Sequence, residues 1–119
     1  MIRLVVYKNK GLYTGLDCEG HSSKTNGEKG TNLVCAGVSA LLQTLFLYLK
    51  NEKLIDSVKM ADGILFFRLT EIRNPKLAIL VDQAFKMIWI GMESIAQDHS
   101  GDIELQQVED PSLDKRAVS

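Results

Sequence analysis

The sequence predicts one α/β domain of order ββαββαβ, a mixed or antiparallel sheet packed with two long helices. Three observations predict it. Short β-rich runs meet at glycine turns in two places, Asn9-Lys10-Gly11 and Ala61-Asp62-Gly63. Two long apolar stretches, one starting near Thr31 and one opened by Asn74-Pro75, have helical length and caps. The chain of 119 residues holds one core and is too short for two.

Each element follows in order. Ile2 to Lys8 is β-rich and ends at the first turn. Leu12 to Gly20 alternates, with Leu12, Thr14, Leu16 and Cys18 expected on the core face and Tyr13, Gly15, Asp17 and Glu19 on the other. The two segments form a hairpin. Residues 21–30 are polar, with glycines at 27 and 30, and read as a loop long enough to be mobile or functional. Thr31 or Asn32 caps a helix running to about Lys50. Its apolar residues fall on nearly every side, which predicts burial on more than one side. Thr31 to Leu49 carries no charge, yet Asn32, Ser39, Gln43 and Thr44 interrupt it, so a buried helix is favoured over a membrane span.

Leu54 to Met60 and Ile64 to Thr70 form a second hairpin around Ala61-Asp62-Gly63. Asn74 caps a second helix with Pro75 at its first position, running to about His99. Its expected core stripe is Leu77, Leu80, Val81, Ala84, Phe85, Ile88, Met92 and Ile95. Ile79, Trp89 and Ile90 lie off that stripe, and so wide an apolar surface suggests a second copy of the chain as partner. Ile103 to Val108 is a last strand. The domain is therefore expected to span 1–108, with 109–119 a polar, disordered tail.

Composition narrows the function. The apolar fraction is 45%, the charged fraction 24% and the net charge −1, which argues against general binding to nucleic acid or to anionic membranes. The N-terminus reads as a strand and not as an export signal. Two cysteines without such a signal are expected to be free thiols in a reducing cytoplasm.

Cys35 is the leading candidate for chemistry. It falls in the first turn of the first helix, where the dipole and unpaired backbone N–H groups favour a thiolate. The bland alternative is a small buried hydrophobe. His21, at the far end of the polar loop, is the candidate base, and its bland alternative is a solvated histidine. Backbone N–H groups at the same helix start could hold an oxyanion. Cys18 is expected to be buried. Ser39, one turn after Cys35, could orient the pair or bond a backbone carbonyl. A zinc site from Cys18, His21 and Cys35 lacks a fourth ligand and a C-x-x-C pair. Gly27-Glu28-Lys29-Gly30-Thr31 lacks the order of a phosphate loop, though phosphate binding at this helix start stays open.

Gly20-His21-Ser22, the glycine-containing loop and Val34-Cys35-Ala36-Gly37-Val38-Ser39-Ala40-Leu41 resemble the ribosomal-processing cysteine protease family, Prp. The resemblance extends through about Val108. It implies a cytoplasmic homodimer that removes a short N-terminal extension from the twenty-seventh protein of the large ribosomal subunit. It implies Cys35 as nucleophile and His21 as general base, a cut after two aromatic residues and before a small one, a loop over 22–31 that closes on the peptide, and no metal or cofactor. Asn32 stands where the family usually has Asp, and Ser22 where Ala is more usual. Asn32 still caps the helix but brings no negative charge. The competing reading is a ribosome-associated module that binds a peptide or phosphate without cutting it.

Overall fold

The computed structural model describes residues 1–21 and 32–110. The order is β1 (Ile2–Asn9), β2 (Leu12–Gly20), α1 (Leu33–Asn51), β3 (Ile55–Ala61), β4 (Ile64–Leu69), α2 (Pro75–Asp98) and β5 (Ile103–Glu109). This is the predicted ββαββαβ domain. The strands form one mixed sheet in the order β3-β4-β2-β1-β5, with β5 parallel to β1 and every other pairing antiparallel. It follows that β2 and β3 run parallel on either side of β4, and that β4 and β5 run parallel on either side of β2 and β1. Each helix is the crossover of one such pair.

Register explains which residues build the core. Leu4, Cys18 and Leu65 stand in one buried row across the sheet and Val6, Leu16 and Phe67 in the next, while Met60 and Val58 continue these rows on the edge strand β3 and are exposed. Both helices cover this face. Val34, Val38, Leu42, Leu45, Phe46 and Leu49 of α1 and Val81, Phe85, Ile88 and Met92 of α2 are buried there. Burying each such side chain contributes roughly 1.5–3 kcal/mol. The opposite face carries a network in which Arg68 holds the Asp17 carboxylate (Nη1–Oδ1 2.7 Å) while Tyr7 donates to it at 2.9 Å. The Arg68 guanidinium also lies over the Tyr7 ring, 4.2 Å from its centroid.

Four expectations need correction. In β2, Tyr7 of β1 pairs with Gly15 but Lys8 pairs with Tyr13, so Thr14 is an extra residue. The bulge reverses the alternation. Tyr13 turns to the helix face and stacks on Phe85 with ring centroids 4.6 Å apart, while Leu12 is exposed. Second, α1 is buried on one side only: Leu33, Leu47 and Tyr48 face outward, because the crossover lies on the sheet with nothing described above it. By length and composition α1 could cross a membrane, but its other side is built into the core. Third, Leu80 of α2 is exposed, at the margin of the stripe, together with Ile79, Met87 and Ile90.

Fourth, the fold runs past Val108. Glu109 is the last residue of β5, and Asp110 is buried. The Asp110 N–H donates to the Lys8 carbonyl (2.7 Å), its carbonyl accepts from Asn9 Nδ2 (3.1 Å), and its carboxylate accepts from Thr14 Oγ1 (3.2 Å). Pairing with β1 holds Glu109 in the sheet, and the bonds to Lys8, Asn9 and Thr14 bury Asp110. The rest of the expected tail lies outside the described residues, as do the loop reading of 22–31 and the phosphate-binding alternative within it.

Candidate active site

The site forms where the start of α1 meets the ends of β2 and of the β3–β4 hairpin. Asn32 is the cap of α1. Its backbone is extended (φ −75°, ψ 107°), and its Oδ1 accepts the Cys35 N–H at 3.0 Å. Cys35 is therefore the third residue of the helix, inside the first turn where the dipole acts, as the sequence predicts. Asn32 is buried; Cys35 is half-buried.

His21 is exposed and follows β2 directly. Its placement depends on two glycines. The Gly20 N–H donates to the Gly63 carbonyl at 2.9 Å, tying the end of β2 to the turn between β3 and β4. Gly20 has φ +106°, and a side chain there would collide with the Met1 carbonyl oxygen. Gly63 has φ +70°, and a Cβ there would lie 2.6 Å from His21 Nε2. The imidazole rests on the bare α-carbon of the turn.

His21 and Cys35 line the same cavity, of about 290 Å³. Its deep wall is apolar, with Ile2, Cys18, Val38, Leu42 and Leu65, and its open side carries Met60 and Asp62 of the hairpin. Cys18 is buried, and burial pushes its thiol up to about 12, so it stays protonated and inert at neutral pH. Ser39 lines the cavity too, but its hydroxyl accepts from Gln43 Nε2 at 2.8 Å. Among the described residues no group of three or more His, Cys, Asp or Glu is placed to hold a metal ion. Met60, Asp62 and Gly63, which the local pattern marks only as a strand end and a turn, also line the cavity. Gly63 was visible only as half of an Asp-Gly turn, a signal that predicts a hairpin and says nothing of what rests on it.

A half-buried thiol at a helix start, an imidazole at the same cavity and an apolar recess beside both are what a cysteine peptidase of the α/β class requires. The family model described as cysteine protease Prp matches residues 1–104, and the chain belongs to that family. Among solved structures, the essential ribosomal processing protease Prp from S. aureus, in complex with a covalently linked product peptide, superposes with a TM-score of 0.74 at 21% identity, covering 91% of this chain and 100% of that one. The same protease with a substrate peptide gives a TM-score of 0.70 at 20% identity, with 91% and 100% covered. SMU.848 from Streptococcus mutans gives 0.70 at 21% identity, with 92% and 96% covered. These likenesses show the fold. No curated protein matches the chain.

Proposed function

We propose that this chain is a cysteine endopeptidase that removes the N-terminal extension of the twenty-seventh large-subunit ribosomal protein, with Cys35 as nucleophile and His21 as its base. The observation that carries the reading is the shared cavity, in a chain of a cysteine protease family.

The chemistry is acyl transfer. His21 takes the Cys35 proton, and the thiolate attacks the scissile carbonyl carbon, forming a C–S bond. Backbone N–H groups in the first turn of α1 stabilise the oxyanion. As the C–N bond breaks, the imidazolium gives its proton to the leaving amine. A water then loses a proton to His21 and attacks the thioester, and Cys35 leaves and is reprotonated. Asn32 fixes the start of α1 and so the position of Cys35. Ser39 contributes shape to the cavity wall. The S. aureus protease, seen with a covalently linked product peptide, supports a covalent route. The apolar recess suits the two aromatic residues before the cut that the family resemblance implies.

In this reading the enzyme works in the cytoplasm, where its ribosomal substrate is made. It works as a homodimer, joined through the exposed Ile79, Leu80, Met87 and Ile90 of α2. The test is cleavage of a peptide spanning the extension by wild type and by Cys35→Ala. Cutting at one bond by wild type alone supports the reading. Binding by both with cutting by neither returns the protein to the class of binding modules.

A further inference from the structure

The mechanism leaves one buried nucleophile unused. Cys18 and Cys35 are the two cysteines of the chain, and both line the apolar cavity of the site. Cys18 reaches it from the sheet. Its side chain stands on the helix face between Leu4 and Leu65 and is 8% exposed. Cys35 reaches it from the helix layer, half-buried in the first turn of α1 and packed against the same core.

This setting gives the two thiols different parts in an oxidation. The cavity is open beside Met60 and Asp62, so a small oxidant can enter it. Cys35 is the thiol it oxidises first, since the helix start favours the thiolate. Burial pushes the Cys18 thiol up to about 12, which keeps it protonated and out of that first step.

The oxidant considered is hydrogen peroxide. The Cys35 sulfur attacks one peroxide oxygen, an S–O bond forms, the O–O bond breaks, and hydroxide leaves and is protonated to water. The resulting sulfenic acid is a polar group against an apolar wall that includes Val38 and Leu42, which disfavours it. Condensation with a thiol removes it. The Cys18 sulfur attacks the Cys35 sulfur, an S–S bond forms, the S–O bond breaks, and the hydroxyl leaves as water with the Cys18 proton. The two thiols give up two electrons in all, and the peroxide takes them. The small thiolate fraction of Cys18 slows the second step. Confinement in one cavity offsets this, and a thiolate of high pKa is the stronger nucleophile.

The product is a neutral bridge that suits an apolar wall. It would tie the first turn of α1 to β2, the strand that His21 follows. It takes the nucleophile away reversibly, because a dithiol reductant restores both thiols. An unprotected Cys35 would go on to sulfinic and sulfonic acids, which such reductants do not reverse.

We propose that Cys18 is the resolving thiol of Cys35, and that peroxide switches the site off by joining the two in a disulfide across the cavity. The loss of activity rests on the Cys35–His21 reading above; the bridge itself does not.

The test treats reduced wild type and Cys18→Ala with a modest excess of hydrogen peroxide. It follows intact mass, tryptic peptides and cleavage of the extension peptide. Lys24 and Lys29 lie between the two cysteines, so trypsin separates them and a bridged pair of peptides reports the bond. Wild type is expected to lose two hydrogens, to stay a single chain on a non-reducing gel and to yield the bridged pair. With dithiothreitol it is expected to regain about tenfold more of its own starting activity than Cys18→Ala regains of its own, since the variant gains two or three oxygens on Cys35. Wild type that gains oxygens on Cys35 as fast as the variant, or that bridges only between chains, overturns the inference and leaves the protease intact. Untreated wild type that cuts no peptide overturns the protease reading and the switch with it, whatever the masses show.

Discussion

The imidazole of His21 lies against the α-carbon of Gly63, so close that a methyl group there would stand 2.6 Å from Nε2. Gly63→Ala must either push the imidazole off the turn or distort the turn, whose φ of +70° already disfavours alanine. We expect a stability loss of about 1 kcal/mol. We also expect at least a tenfold fall in kcat, together with slower alkylation of Cys35. A purely structural glycine would cost stability without slowing the alkylation of folded protein, so the alkylation rate decides its role.

The two thiols are expected to separate cleanly. Iodoacetamide at pH 8 should modify Cys35 in the folded protein and leave Cys18 untouched, because burial keeps Cys18 protonated. Peptide mapping of the alkylated protein checks this, and comparable labelling of both would contradict it.

Cys18 also makes stability depend on pH. Its folded value of about 12 lies above the ordinary 9.0, so the folded state holds the proton more tightly than the unfolded chain does. The contribution is therefore whole below pH 9 and is lost as pH rises toward 12, by about 4 kcal/mol at the upper end. Urea unfolding at pH 8 and at pH 10.5 should show wild type losing about 2 kcal/mol more over that interval than Cys18→Ala. Equal losses would show that Cys18 is not the titrating group.

Asn32 caps α1 by accepting the Cys35 N–H on its side-chain oxygen. Asn32→Ala should cost about 1 kcal/mol and slow catalysis, since the first turn carrying Cys35 loses its anchor. Asn32→Asp keeps the acceptor and adds a charge favourable to the dipole. It should rescue stability relative to alanine, and thermal unfolding of the three proteins orders them.

Asp110, just after β5, is joined to the bulge of β2. Asp110→Ala removes the acceptor for the buried Thr14 hydroxyl and should cost roughly 1–3 kcal/mol. Thr14→Val should cost less in the Asp110→Ala background than in wild type. A double-mutant cycle in urea measures the coupling, and strictly additive losses would argue against it.

Local patterns carried much of this protein. Asn74-Pro75 marks the start of α2 because proline fits the first helical turn and asparagine caps it, and the structure begins that helix at Pro75. Lys10-Gly11 closes the first hairpin with φ of 51° and 82°, as a two-residue turn with both centres left-handed requires. Asn32 three residues before Cys35 was legible as a cap, and so was the first-turn position of the thiol. Tyr13 was misplaced because a bulge adds one residue without leaving a mark in the local pattern. Leu80 was misplaced because helical period finds the centre of a stripe and not its edges.

What the sequence by itself determined is therefore what neighbours along the chain decide. It set the element order, the helix starts, the tight turns and the candidates Cys35 and His21, since caps, turns and periodicity act over a few residues. Only the tertiary structure decided that the β3–β4 turn comes under His21, that Cys18 lines the cavity of Cys35, and that Asp110 closes on Thr14. Those meetings depend on strand order and register, which are settled by burying one shared face of the sheet under both helices. That is a property of the whole chain packing at once, and no short stretch of it contains the information.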